Sequence, residues 1–193
     1  IAILMICQGV PMIHMGDEMA HTKYGNNNTY AQDNELSWID WSRRDEDLLQ
    51  FVRKMIAFRR ARPSLKRLQY FDGKHNPHTG RPDVTWLNGA GDVLTRDEWH
   101  DPARRVFGAL FDLPPERGGP LKVNGQDHRP FALLFNQGEK GHDFQLPGGE
   151  EERWQIVFDT SIEPSFVSRS RIFGGGIKYD LSPRSVVCLV RGV

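Results

Sequence analysis

The chain has 193 residues, of which 38% are apolar, and its 25 basic and 25 acidic side chains give a formal net charge of zero. This length allows one large domain or a smaller domain with an appendage, and the ordinary composition predicts a packed core instead of disorder. Without a basic field or an acidic tail, we expect no nucleic-acid partner. The longest apolar run, at the N terminus, is too short to span a bilayer, so we expect no membrane partner.

The two cysteines, Cys7 and Cys188, lie in apolar runs. Both are predicted to be buried small hydrophobic residues of a protein that folds in a reducing compartment. The sequence has no zinc-type cluster, and the pair His75 and His78, among Gly, Asn and Pro, is predicted to lie in an exposed loop. We therefore expect no metal and no cofactor.

The first residues predict the end of a helix followed by a strand. Residues 1–7 form an apolar run with helical character, which Pro11 cannot continue because it lacks an N–H and clashes with the preceding turn. Residues 12–15 are predicted to form a short buried strand. Because a native chain rarely begins inside an apolar helix without a start methionine, we expect residue 1 to be a cut in a longer protein.

A long polar segment follows, over residues 19–44. It has no periodicity and is rich in Asn, Asp, Tyr and Trp, and its aromatic content argues against disorder. Amide and carboxylate groups can pair with vicinal hydroxyls, and the faces of Tyr and Trp suit the C–H faces of a pyranose. This mixture is typical of a sugar site. Asn-rich turns with a packing cluster of Trp38 and Trp41 explain the same composition, so both interpretations stay open.

Two acids precede this segment. Gly16 can adopt a positive φ and make a sharp turn, and Asp17 and Glu18 come directly after it, at the strand end where α/β barrels carry their active sites. A retaining glycosidase needs two carboxyl groups about 5 Å apart. Adjacent side chains at a strand end point apart, so a structural role in holding the loop is favoured over direct catalysis.

A helix is predicted over residues 45–62. Acids at its start and arginines in its last turn complement the helix dipole, and Pro63 ends it. The predicted buried face consists of Leu48, Val52, Met55, Ile56 and Arg59.

Beyond Pro63, short apolar runs alternate with Gly, Pro, Asn and Asp. Turn signals at spacings near ten residues predict an antiparallel sandwich. Residues 101–127 are predicted to be an irregular covering loop that contains a strand, and residues 174–176 a turn or bulge instead of a phosphate loop. The predicted strands cover residues 105–111, 131–135, 142–146, 153–158 and 185–190, the last of them central.

Three consecutive motifs carry a resemblance to a known family. They are Gln8-Gly-Val-Pro-Met-Ile-His-Met-Gly-Asp-Glu18, Gly25-Asn-Asn-Asn-Thr-Tyr30 and Gln32-Asp-Asn-Glu-Leu-Ser-Trp-Ile-Asp-Trp41. With these motifs, and with later markers in the same order such as Asp97-Glu-Trp99, the chain resembles the C-terminal part of bacterial glycogen debranching enzymes. These are isoamylase-type members of the α-amylase family of glycoside hydrolases.

The resemblance implies a fold class. It is mainly β, with a C-terminal antiparallel β-sandwich preceded by the last strand and helix of a truncated (β/α)8 barrel. Residues 1–64 would be the end of the catalytic barrel, including its rim loop, and residues 65–193 the sandwich. The family's catalytic Asp, Glu and Asp come from earlier strands and would lie upstream of Ile1, so no residue of this chain is expected to be catalytic.

The resemblance also implies a function and a set of site residues. The parent would hydrolyse α-1,6-glucosidic branch linkages in the cytoplasm, with glycogen, limit dextrin or malto-oligosaccharide as its partner. The alternative is a non-catalytic carbohydrate-binding or structural module, in which case the response to a sugar should depend on Trp154 of the sandwich and not on Trp38. The residues expected near the sugar are Asn27, Asn28, Gln32, Asp33 and Asn34. Those expected to hold the turn and loop are Gly9, Pro11, Gly16, Asp17, Glu18, Trp38 and Trp41.

A barrel cannot close with one strand. The apolar faces of its remnant would be exposed, and such patches drive association. We therefore expect the chain to self-associate through the remnant, or residues 1–20 to dock onto the sandwich.

Overall fold

The structure, a computed structural model, describes residues 1–75, 80–112, 121–167 and 171–192. Most of its regular elements are antiparallel strands, which confirms the mainly β prediction. The helices in these ranges are α1 (Ala2–Ile6), α2 (Glu46–Ala61) and α3 (Arg96–Trp99). The strands are β1 (Val84–Leu87), β2 (Val106–Phe111), β3 (Lys122–Val123), β4 (Gln126–Asp127), β5 (Phe131–Asn136), β6 (His142–Gln145), β7 (Arg153–Asp159), β8 (Ile172–Gly174), β9 (Lys178–Leu181) and β10 (Ser185–Arg191).

One six-stranded sheet organises the fold. Its strand order is β1-β2-β5-β10-β7-β8, and every neighbouring pair is antiparallel. Strands β5 and β10 are buried on both faces, which explains why their sequences are continuously apolar and not alternating. The prediction that residues 185–190 form a central strand is therefore confirmed.

Helix α2 covers one face of the sheet. It begins at an N-cap, where the Asp45 carboxylate accepts a hydrogen bond from the Leu48 N–H at 2.9 Å. Phe58 packs edge-on against Phe131 and Phe158, with ring centroids 6.1 and 5.9 Å apart. The helix is thus fixed to the middle of the sheet.

The opposite face is covered by the two-stranded sheet of β6 and β9. Phe144 and Leu181 from this pair pack against Leu134, Trp154 and Leu189 of the large sheet. Two layers of strands enclose this second core, which is consistent with the predicted sandwich.

Some local predictions were wrong. Residues 12–15 form no strand, and Met12 and Met15 are exposed. A strand is stabilised by hydrogen bonds to neighbouring strands, and the described part of this chain offers no neighbour to this segment. Cys7 is also exposed because it follows the last turn of α1, whereas Cys188 is buried in β10 as predicted.

The buried face of α2 also differs in detail from the prediction. Ile56 is exposed and Leu48 is only half-buried, whereas Leu49 and Phe58 are buried. The predicted face was therefore rotated by one residue at the start of the helix.

Helix α1 packs against α2 and the sheet. Ala2, Met5 and Ile6 are buried in the same apolar cluster as Phe131 and Cys188. Self-association stays a prediction.

The remaining local predictions have mixed outcomes. Gly175 and Gly176 form the turn between β8 and β9, as predicted. His75 is exposed, whereas His78 lies outside the described residues. The predicted covering loop contains β2, β3 and β4, and residues 113–120 of it also lie outside the described residues.

The described residues contain neither a membrane-spanning helix nor a cluster of metal ligands. None of the helices there combines the length and apolar character needed to cross a bilayer. Across the same ranges, no group of three or more His, Cys, Asp or Glu side chains is arranged to hold a metal ion.

Candidate functional site

The candidate site is the rim loop, residues 17–44, which starts at a turn that only glycine can make. Gly16 has a φ of 97°, and a Cβ there would lie 2.7 Å from Cβ of His21 and 3.1 Å from Cδ1 of Ile39. The turn also closes on itself, because the His21 N–H donates to the Gly16 carbonyl at 3.0 Å. Gly16 therefore brings the start of the loop back against its later part.

Glu18 stabilises this turn. Its Oε2 accepts a hydrogen bond from the Gly16 N–H at 2.9 Å. Glu18 lies in the 3₁₀ turn Asp17–Met19, and Gly16 directly precedes this turn. The Met19 carbonyl accepts from the Asp45 N–H at 3.1 Å, which connects the turn to the start of α2. Asp17 is exposed, and within the described chain its side chain has no hydrogen-bond partner.

Side-chain amides fold the Asn-rich part of the loop. The Asn26 amide donates to Oε1 of Gln32 at 3.2 Å, and Oδ1 of Asn26 accepts from the Asn28 N–H at 2.8 Å. The buried Thr29 begins the short 3₁₀ turn Thr29–Ala31 between these residues. The amides therefore form a compact turn, as the structural interpretation of this segment proposed.

A second set of bonds fixes the loop after Gln32. The indole Nε1 of Trp38 donates to Oδ1 of Asp33 at 2.7 Å. The Ser37 hydroxyl donates to the Gln32 carbonyl at 2.7 Å, and Oδ1 of Asn34 accepts from the Leu36 N–H at 3.1 Å. Trp38 is thereby held in one orientation with its ring half exposed.

The loop encloses a small cleft of about 120 Å³. Asp40 accepts hydrogen bonds from the Ser42 hydroxyl and N–H at 2.6 and 2.9 Å, and these bonds hold the pKa of its carboxyl below the usual range. The carboxylates of Asp40 and Glu35 offer acceptors, the Arg43 guanidinium offers donors, and Trp38 offers an aromatic face, all of which suit hydroxyl groups. The lining consists of Met19, Ala20, His21, Thr22, Tyr24, Glu35, Trp38, Asp40 and Arg43.

The five predicted sugar-contact residues are outside the lining of this cleft, and Asp33 is connected to it through the hydrogen bond from Trp38. Asn27 and Asn28 are exposed, and their side chains have no hydrogen-bond partner among the described residues. Gln32, Asp33 and Asn34 are exposed or half-buried and use an oxygen for bonds within the loop.

The predicted structural residues have different environments. Gly9 has a φ of 96°, and its carbonyl accepts a hydrogen bond from the Arg59 guanidinium. Pro11, two residues later, is half-buried. Trp41 is exposed and begins the 3₁₀ turn Trp41–Arg43.

Sequence reasoning missed Tyr24 and Arg43. The Arg43 guanidinium donates to the Tyr24 hydroxyl at 3.0 Å, and the two side chains form one wall of the cleft. They are 19 residues apart in a segment without periodicity, so no local pattern connects them.

Trp154, the tryptophan at which sugar binding by the sandwich was expected to be detected, is not accessible. Its ring is fully buried between the two sheets, and its Nε1 donates to the Pro147 carbonyl at 2.9 Å. A sugar cannot reach this side chain. The exposed tryptophans of the later part of the chain are Trp86 and Trp99.

The sequence is similar to those of bacterial enzymes of glycogen metabolism, although no family model matches it. The glycogen operon protein GlgX homolog of Mycobacterium tuberculosis is 36% identical over 169 residues, which cover 83% of this chain and 23% of that protein. A glycogen debranching enzyme of Cronobacter sakazakii is 40% identical over 134 residues, covering 69% of this chain and 19% of that enzyme.

The fold is shared with a solved pullulanase structure. The type I pullulanase of Bacillus subtilis, solved in complex with maltose, matches with a TM-score of 0.65 and 17% identity over 98% of this chain and 22% of the pullulanase. Fold and sequence together define a member of the α-amylase family of glycoside hydrolases. Within that family the chain belongs to the bacterial glycogen debranching enzymes, and it spans less than a quarter of the length of these relatives.

Proposed function

We propose that this chain is the C-terminal part of an enzyme that hydrolyses α-1,6-glucosidic branch linkages in glycogen or limit dextrin in the cytoplasm. Residues 1–64 contribute the end of the catalytic barrel with its rim loop, and residues 65–193 contribute the sandwich. The single observation that carries the proposal is sequence identity of 36% to 40% with glycogen debranching proteins over most of the chain.

In this proposal the rim loop contacts the glucan and the chain itself performs no chemistry. Support comes from the hydroxyl-binding groups of the loop, because Glu35 lines the cleft with Trp38, and Asn27 and Asn28 are exposed in the same loop. The carboxylate of Glu18 is used to close the turn at Gly16, which favours a structural role for this acid.

The test is a kinetic comparison of rim-loop variants in the full-length parent enzyme. Asp33→Ala removes the carboxylate that accepts the hydrogen bond from Nε1 of Trp38 at 2.7 Å, so the Trp38 ring is no longer held in place. We therefore expect KM for limit dextrin to rise about fivefold to tenfold, with a smaller change in kcat. Asp180→Ala, at an exposed position of β9, is the matched control and should leave both constants unchanged.

Equal kinetics of the Asp33→Ala variant and the parent enzyme would argue against a sugar contact through this loop. The alternative, a non-catalytic carbohydrate-binding or structural module, predicts that the full-length protein does not release chains from limit dextrin. It has one observation in its favour, which is the exposure of two tryptophans on the sandwich.

A further inference from the structure

A groove of about 760 Å³ opens beside β1 and α3, and two tryptophans are part of its lining. Trp86 is 38% exposed and Trp99 is 54% exposed. Their ring centroids are 5.1 Å apart and the ring planes meet at 63°. Large aromatic rings in a concave surface of this size are typical of ligand sites.

The two rings are held in a rigid frame. The segment that follows β1 returns antiparallel to it, with the Leu94 N–H donating to the Trp86 carbonyl at 2.9 Å. Thr95 and Glu98 form a reciprocal capping box that starts α3, and the Asn88 amide donates to Oε1 of Glu98 at 3.0 Å.

Two further contacts extend this frame. The Arg104 guanidinium donates to the Glu98 carbonyl at 2.7 Å, which fixes the end of α3 directly before Trp99. Behind the groove, the ring of Trp86 contacts Phe107, which stacks on Phe135 of the large sheet with centroids 4.7 Å apart. A ligand would therefore meet aromatic faces that are already in place, so binding would cost little ordering.

Polar groups lie at the edge of the groove. His100 pairs its Nδ1 with the Arg96 carbonyl at 2.7 Å, which leaves Nε2 of the ring for another partner. The side chains of Thr85 and Arg96 also line the groove and have no hydrogen bond within the described ranges. None of the described residues in the lining is acidic. Aromatic faces beside a few donors and acceptors suit a neutral, hydroxyl-rich ligand.

We propose that this groove binds an α-1,4-glucan chain at a second site on the sandwich, formed by β1 and α3 and separate in sequence from the rim loop. The inference rests on the proposed function for the choice of an α-glucan. The angle between the two rings supports the same choice, because an α-1,4-linked chain curves and presents successive C–H faces at an angle. A second site of this kind would keep the enzyme on a branched polymer while the catalytic cleft acts on one branch.

The test uses the 193-residue chain with 5-fluorotryptophan in place of tryptophan, followed by fluorine NMR during titration with maltoheptaose. The chain has five tryptophans, so each resonance can be assigned with one Trp→Phe variant. We expect the resonances of Trp86 and Trp99 to shift together and to saturate, and Trp99→Ala to weaken the affinity read at Trp86 about tenfold. Trp41→Ala, at a residue that is 52% exposed, is the matched control and should leave the affinity at Trp86 unchanged.

The outcomes separate this site from the rim loop. Shifts at Trp38 without shifts at Trp86 and Trp99 would support the rim-loop proposal and overturn the second site. Unchanged binding in Trp99→Ala would also overturn it. A third outcome is a shift of the Trp86 and Trp99 resonances with protein concentration in the absence of sugar. This result would show that the groove binds a second copy of the chain, and it would contradict the proposal.

Discussion

Arg59 connects α2 to the segment that precedes the rim loop. Its buried guanidinium donates hydrogen bonds to the carbonyls of Met5 and Cys7, both at 2.8 Å, and to the carbonyl of Gly9. The Met5 and Cys7 carbonyls lie at the C-terminal end of α1, where a helix leaves its acceptors unpaired and where the dipole favours a cation, and the Gly9 carbonyl lies in the segment that follows. Burial lowers the pKa of Arg59 from its ordinary value, but the group stays charged at neutral pH.

Replacing Arg59 should release the N-terminal segment. In Arg59→Leu three carbonyls lose a charged donor, so we expect a decrease of about 2 kcal/mol in the free energy of unfolding and faster amide exchange over residues 3–9. Urea unfolding and hydrogen exchange measure these effects. Arg60→Leu, at the exposed neighbouring position, is the control. Equal exchange in Arg59→Leu and the unmodified chain would contradict this role.

Tyr179 and Asp159 form a buried polar contact between the two sheets. The Tyr179 hydroxyl donates to Oδ2 of Asp159 at 2.6 Å, and the Ser161 hydroxyl and N–H donate to Oδ1 at 2.6 and 2.8 Å. The pKa of Tyr179 is raised well above its ordinary value. Burial of the phenol is the larger cause, and the hydrogen bond to the Asp159 carboxylate is the second. The protonated phenol is therefore the form that the fold requires.

This contact predicts a loss of stability in alkaline solution. Because the pKa of Tyr179 is higher in the folded than in the unfolded state, its contribution is fully present below about pH 10 and decreases as the pH rises above that value. Tyr179→Phe should lower the free energy of unfolding by about 1–3 kcal/mol at pH 7, since it leaves Oδ2 of Asp159 without its donor.

Urea unfolding at pH 7 to 11 measures the difference between the two proteins, which should shrink above about pH 10. Tyr70→Phe, at an exposed tyrosine, is the control and should have no effect at pH 7. A constant difference over this pH range would contradict the assignment.

Elements whose signals are local could be predicted from the sequence. Helix α2 carries its own N-cap at Asp45, acids in its first turn, arginines in its last turn and Pro63 after its end, and each signal acts within a few residues. The strands β5 and β10 are continuously apolar because both faces of the sheet are covered, and this pattern was also sufficient.

Elements that depend on distant partners could not be predicted in the same way. The segment of residues 12–15 has the composition of a strand, but a strand also needs neighbours that accept and donate its backbone hydrogen bonds. In the rim loop, composition indicated hydroxyl-binding groups, whereas the pairing of Tyr24 with Arg43 and the hydrogen bond from Trp38 to Asp33 follow from tertiary folding. Trp154 and Trp99 look alike in sequence, yet the first is buried and the second is exposed.

The segment of residues 10–15 leaves an apolar surface that has no cover in the described chain. Val10, Met12 and Met15 are 97%, 84% and 67% exposed. Clustered exposed apolar side chains promote association, so we expect the isolated chain to form dimers or larger species as its concentration rises. Light scattering at increasing concentration measures this, and a monomer throughout would contradict the expectation.

A double substitution identifies the surface involved. Met12→Glu with Met15→Glu places charge on the segment and should restore the monomer. Leu68→Glu, at a fully exposed leucine outside this segment, is the matched control and should not change the association. Association that persists in the double variant would place the contact elsewhere on the chain.

The whole molecule is a six-stranded sheet with a helix on one face and a strand pair on the other, and the rim loop precedes it in the chain. The bonds at Gly16, Met19 and Asp45 connect that loop to the start of α2, which is itself fixed to the sheet through Phe58. In the proposed parent enzyme, the sheet and α2 would therefore form the rigid support from which the loop reaches the glucan.

The most direct test of the proposed function is the release of reducing ends from phosphorylase limit dextrin. This release should be measured side by side for the full-length parent and for the 193-residue chain. We expect the parent to release short chains and the chain alone to release none, because the proposed catalytic acids belong to earlier strands. Release by the isolated chain, or none by the full-length protein, would contradict the proposal.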